Sequence, residues 1–343
     1  MSAPTIYRWD DSGAPDLNAI MPTNNDKARL WMHTVLKACL VDGYGNKAAA
    51  GWAMTHEEIA PDGCRFVLNN AANSGSLLYE TGVFCGGASS SSYNTLWVCS
   101  AVPSMDAPIG AWSYLLDYES RNNSSRHAHK INSSDSYKWN SWCVIANENT
   151  AIILGYKTAN EHSVDSSTRP SDSGLLYIGA GNSGSVGAID NPQAGNFYLV
   201  GGGNDDYTRS IGSSIIGPTV TTNVGVTGLV REGFHSYSYR PFNSVTTSVL
   251  DIFQVRPLEY MQYGDSSPIA TDSTAKHHLF SLVGFRVMDV IFSSISIMNA
   301  WMIERGYQYG VPFQMGASSY VLFKAERETC LLFCLDASEW GGV

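Results

Sequence analysis

With 343 residues the chain can bury a sizeable core, as one large domain or as two to three smaller ones. Charged residues make up only 15% against the ~25% common in soluble domains. Aromatics reach 11%, and Gly, Ser, Asn and Thr are abundant, a composition that suits short strands joined by many turns. The 21 basic and 31 acidic side chains leave a formal charge of −10, which repels a phosphate backbone and argues against nucleic-acid binding. No uninterrupted apolar run reaches the ~18 to 20 residues of a membrane span. The first residues lack the basic and apolar stretches of a signal peptide, so retention in a cytoplasm and no membrane partner are expected.

The first predicted element is a helix from about Asp26 to Leu40, behind the cap candidates Asn24 and Asn25. Met32, Val35, Leu36, Cys39 and Leu40 recur at three- and four-residue steps and form one apolar stripe, expected to pack on the protein's own sheet, with an oligomer contact as the alternative. Gly43 stands where a helix stops, and a small-residue run from Lys47 then leads to Trp52. The segment reads as a docking element, with Cys39, Gly43, Tyr44 and Trp52 as its anchoring or interface residues.

Beyond residue 60 the pattern changes to short strands bounded by turn residues. Cys64–Leu68, Thr95–Cys99, Ser141–Ala146 and Ala151–Tyr156 are strand candidates, and the last two flank Asn147-Glu148-Asn149-Thr150 as a hairpin. Leu175–Gly179 and Asn196–Val200 continue the series. The string Gly179-Ala180-Gly181-Asn182-Ser183-Gly184 has the spacing of a dinucleotide fingerprint. The residues after it, through Pro192, hold too many breakers for the helix such a site requires, so a surface loop is expected and no cofactor. Strands are also predicted at His235–Phe242, Phe285–Phe292 and Ser294–Met298, followed by two closing strands at Tyr320–Lys324 and Cys330–Leu335. The fold class is therefore mainly β: antiparallel β-sandwich or barrel-like domains with one N-terminal α-helix. Residues 1–160 form the helix-bearing β part and 161–343 the part with glycine-rich loops, although no linker marks a firm boundary and one domain is equally compatible.

The seven cysteines, Cys39, Cys64, Cys85, Cys99, Cys143, Cys330 and Cys334, are odd in number and widely spaced, which argues for free, buried thiols. A strand places Cys330 and Cys334 on one face, but no second Cys or His pair lies near them in sequence to complete a metal site. The pairs His127/His129 and His277/His278 each offer two ligands, short of a converging set. No G-x-S-x-G elbow, H-E-x-x-H helix or P-loop is present. Adjacent carboxylates such as Glu57-Glu58 and Asp205-Asp206 point opposite ways in extended chain and cannot flank one bond. The expectation is a non-enzymatic protein with no catalytic, cofactor or metal residues.

Two stretches carry a family resemblance. Tyr7-Arg8-Trp9-Asp10-Asp11-Ser12-Gly13-Ala14-Pro15 and the run from Ala38 through Gly43-Tyr44-Gly45 to Trp52 resemble the start of a group of tailed-bacteriophage virion structural proteins. Trp142–Thr150 looks like that group's strand-turn-strand, and His235–Arg240 like its tyrosine-arginine strand. Tyr320–Phe323 and Trp340 also fit, while residues 159–230 do not align. The resemblance implies a subunit of the neck, tail or tail tip, assembled in the host cytoplasm into a symmetric homo-oligomer with other virion proteins. It carries over no catalytic residues. The alternative readings are a virion surface protein, either decorating the capsid or binding host glycans through aromatics such as Tyr237 and Tyr239, and a polysaccharide hydrolase.

Overall fold

The computed structural model describes residues 2–20, 24–61, 63–71, 76–81, 84, 94–99, 141–156, 174–179, 198–201, 214–216, 220–221, 227–228, 255–263, 276–288, 295–325 and 329–340. The chain opens with strand β1 (Thr5–Arg8), a one-turn helix α1 (Leu17–Ile20) and helix α2 (Asn24–Leu36). Strands β2 (Ala53–Ala60), β3 (Gly63–Asn69), β4 (Ser76–Thr81) and β5 (Asn94–Cys99) follow and form a four-stranded antiparallel meander in that order.

Next come β6 (Ser141–Ala146), β7 (Thr150–Tyr156), β8 (Gly174–Gly179), β9 (Tyr198–Gly201) and β10 (Ser214–Ile216). They make a six-stranded antiparallel sheet of order β1-β6-β7-β8-β9-β10, so the first strand of the chain is added at the outer side of β6. This sheet takes strands from both sides of residue 160. Strands β11 (Val220–Thr221) and β12 (Thr227–Gly228) are a small pair of their own.

A five-stranded antiparallel sheet closes the chain, built from β13 (Val255–Tyr263), β14 (Lys276–Met288), β15 (Phe313–Met315), β16 (Ser318–Ala325) and β17 (Thr329–Cys334). Helix α3 (Ile295–Glu304) precedes β15. The protein is thus mainly β, with antiparallel sheets and few helices among its described residues.

The predicted strands at Cys64–Leu68, Thr95–Cys99, Ser141–Ala146, Ala151–Tyr156, Leu175–Gly179, Tyr320–Lys324 and Cys330–Leu335 are all present, with boundaries shifted by a residue or two. The hairpin turn between β6 and β7 forms because the Asn147 side-chain oxygen accepts the backbone N–H groups of Asn149 and Thr150 at 2.9 and 3.0 Å. Phe285–Met288 belongs to β14; the remainder of that predicted strand, and all of His235–Phe242, lie outside the described residues.

Two sequence expectations are corrected. Ser294–Met298 alternates like a strand, yet Ile295–Glu304 is helical. Five alternating residues are too short a window to separate the two periods. The longer segment buries Asn299 and Met302, three residues apart, together with Trp301. It ends in a Schellman closure, where the Tyr307 N–H reaches the Met302 carbonyl at 2.9 Å and the Gly306 N–H reaches that of Ile303 at 3.0 Å.

The N-terminal helix also differs. It runs as α-helix only to Leu36 and continues as a π-helical turn over Lys37–Asp42. The wider turn leaves the Cys39 and Leu40 carbonyls to the returning chain: Ala50 N–H bonds Cys39 at 3.0 Å, and Gly51 and Trp52 N–H groups bond Leu40 at 3.1 and 2.9 Å.

One apolar cluster joins the first half of the molecule. Helix α2 and the π turn supply Met32, Val35, Leu36, Cys39 and Leu40, all at 0% exposure. Phe66, Leu68 and Tyr79 come from the four-stranded sheet, and Tyr7, Trp142, Val144 and Ile153 from the six-stranded one. The opposite face of β6 and β7 is buried as well, through Cys143, Ile145, Ile152 and Leu154. Continuous apolar runs in these strands follow from cover on both sides. Arg65 and Glu80 form a cross-strand ion pair at 2.7 Å between β3 and β4, which gives the nearly inaccessible Glu80 carboxylate a charged partner.

Cys39, Cys64, Cys143 and Cys334 are buried and form no disulfide with one another. Burial pushes the Cys39 and Cys143 thiols well above their ordinary value, so neither forms the reactive thiolate at neutral pH. Peptide mapping after iodoacetamide treatment at pH 8 is expected to find all four unmodified in the native protein and modified after denaturation.

Candidate functional site

The edge of β1 is the place where the two most distinctive stretches of the sequence meet. Trp9 N–H bonds the Trp142 carbonyl at 3.0 Å, and the alternation of an antiparallel pair then turns the backbone groups of Ile6 and Arg8 away from β6. Left bare, they are a template for another strand. Side chains occupy the Ile6 carbonyl and the Arg8 N–H instead. Lys47 Nζ donates to the Ile6 carbonyl at 2.6 Å, and the Arg8 N–H donates to Asp11 Oδ2 at 2.6 Å and to the Tyr44 hydroxyl oxygen at 2.9 Å.

The capping groups also hold one another. Asp11 Oδ2 accepts from the Tyr44 hydroxyl at 2.8 Å and from Lys47 Nζ at 2.5 Å. Tyr44 and Lys47 are joined through their backbones, N–H to carbonyl in both directions, at 3.0 and 2.8 Å. This closes a tight turn over Gly45 and Asn46 and points both side chains at β1. The turn lies so close to the segment after β1 that a Cβ on Gly13 would stand 2.9 Å from the Gly45 Cα. Gly43 has φ +76°, and a Cβ there would meet the Lys47 carbonyl oxygen at 2.7 Å, so the exit from the π turn requires glycine.

Electrostatics and burial agree with a fixed rather than a reactive cluster. Burial, reinforced by the hydrogen bond to Asp11, drives the Tyr44 hydroxyl far above the usual phenol range, which keeps it a proton donor. Burial likewise pushes Tyr7 up to about 12, and its hydroxyl donates to the Ala48 carbonyl at 2.7 Å. The Arg8 guanidinium is raised further by its bidentate hydrogen bonds to Asp10, at 2.8 Å each. Its remaining nitrogen, Nη1, donates to the Gly310 carbonyl at 3.0 Å, tying β1 to the loop before β15.

A second set of contacts continues from the same segment. Trp52 is 4% exposed, and its indole N–H donates to the Asn147 carbonyl at 2.9 Å. The Asn147 amide nitrogen donates to the Trp340 carbonyl at 3.2 Å, and the Trp340 indole N–H donates to the Cys334 carbonyl at 2.7 Å. Asn70 and Ala71, just after β3, bond the carbonyls of Asn149 and Glu148 at 3.1 and 2.8 Å. The β6–β7 hairpin tip therefore links the π-turn segment, the four-stranded sheet and the last described residues of the chain.

Of the residues singled out in sequence, Cys39, Gly43, Tyr44 and Trp52 are brought into this one region, with Cys39 and Trp52 in the apolar cluster and Tyr44 in the cap. Tyr237 and Tyr239, the histidines His127 and His129, and the pair Asp205-Asp206 lie outside the described residues. His277 and His278 stand on β14 opposite Gln262 and Met261. Glu57 and Glu58 do point apart: Glu57 accepts from His33 and Lys37 of α2, while Glu58 lies 3.8 Å from His56. Sequence reading alone missed the parts of Asp11, Lys47, Arg8 and Asn147. Their only signal is that Arg8 and Asp11 stand in the first stretch, Lys47 in the second and Asn147 at the turn between two apolar runs. Among the described residues no group of three or more His, Cys, Asp or Glu side chains is placed to hold a metal ion. A scan against protein-family models and a search of curated proteins each find no match to the chain.

Removing Lys47 leaves the Ile6 carbonyl and the Asp11 carboxylate each short of a donor. Lys47→Ala and Asp11→Ala are each expected to lower stability by about 1–3 kcal/mol in urea unfolding. A double-mutant cycle is expected to show coupling of at least ~0.5 kcal/mol, and additive effects would disprove the shared cap.

Glu57 supplies a pH dependence. Hydrogen bonding to Lys37, opposed by some burial and aided by His33, lowers its carboxyl from the ordinary 4.5. A depressed native value contributes stability above the unfolded value and loses it as pH falls through the native one. The stability gap between the parent and Glu57→Gln is therefore expected above about pH 4.5 and should close below it, read by denaturant titration at several pH values.

Proposed function

We propose that the chain is a structural subunit of a tailed-bacteriophage particle, in its neck, tail or tail tip, acting through assembly into a symmetric homo-oligomer with other virion proteins. The reading is non-enzymatic: the chain works as a rigid building piece assembled in the bacterial cytoplasm. The observation that carries it is the convergence of the segments bearing the family resemblance. Tyr7–Asp11, Gly43–Trp52 and Trp142–Thr150 interlock around the capped edge of β1 and the Asn147 turn, and Trp340 is fastened to that turn.

Residues specified for a reaction gather around a cleft with donors and acceptors left for a substrate. The polar groups of the cap are committed to one another and to the backbone, as suits a piece that must keep its shape under load. Low charge and abundant aromatics suit burial against neighbouring subunits.

Mass spectrometry of purified particles, with copy number, tests the proposal: presence in a fixed multiple is expected, and absence from the particle would sink it. Within such particles Trp52→Ala, which removes a buried aromatic at about 3–5 kcal/mol, and Gly43→Val are each expected to reduce incorporation. Normal incorporation of both variants would show that this segment does not hold the subunit in place.

A further inference from the structure

We draw no further inference here: the strongest candidate, the corner between α3 and the outer strand β15, where the half-buried rings of Tyr307, Phe313 and Tyr320 run beside exposed Ile303 and Val311, is an apolar surface patch for which nothing in the structure shows what covers it.

Discussion

The hydrogen bonds that close the outer side of β1 are the constraint on which the rest of the N-terminal half depends. A four-residue strand at a sheet edge has too little pairing of its own to be held firmly, and its outward carbonyl and N–H groups invite another chain. Lys47 satisfies the Ile6 carbonyl and Asp11 and Tyr44 the Arg8 N–H with side chains, so these groups are not left for a further strand. The geometry demands that the Gly43–Lys47 turn approach the segment just after β1, at Ser12 and Gly13, almost to backbone contact. Glycine at positions 13 and 45 follows from that requirement, and glycine at 43 from the close return of the chain at Lys47–Ala49.

The same turn sets the course of the chain on either side. Before it, the π-helical stretch carries both Cys39 and Leu40 into the core and offers their carbonyls to Ala50, Gly51 and Trp52. After it, Trp52 reaches the Asn147 turn, to which the carbonyl of Trp340 is also fastened, 193 residues further along the chain. The cap and the Asn147 turn thus make the early residues the common fastening of elements that are distant in sequence. Such long-range closure is stabilising only when its polar groups are paired, because an unpaired buried amide or carbonyl costs more than a single hydrogen bond returns.

Much of the architecture was legible from local chemistry. The strands β3, β5, β6, β7, β8, β16 and β17 follow from apolar runs bounded by turn residues, and the β6–β7 hairpin from Asn147 between two such runs. Helix α2 follows from its apolar stripe and Gly43. Strand β1 was not legible, since Thr5–Arg8 is short and becomes a strand by pairing with β6, which lies more than 130 residues away. Strand β2 was equally hidden: Ala53–Ala60 is largely exposed and carries Glu57 and Glu58, so its extended form comes from pairing with β3. Helix α3 was misread because its first residues alternate, while burial of Trp301 and Met302 is a property of the packed molecule. The candidate site divides in the same way, its glycines and aromatics being visible as an unusual run and the ion pair that uses them being invisible.

Composition, periodicity and turn chemistry determined by themselves that this is a mainly β protein with an N-terminal helix and, among the described residues, buried cysteines. Those properties depend on residues within a few positions of one another, which is the range over which propensity and amphipathic period act. The pairing of β1 with β6, the π turn, and the choice of Asp11, Tyr44 and Lys47 as the cap of one edge belong to the tertiary structure. The strand pairing and the cap match donors to acceptors across tens to more than a hundred residues, and a linear pattern carries no information about which of many polar side chains will meet.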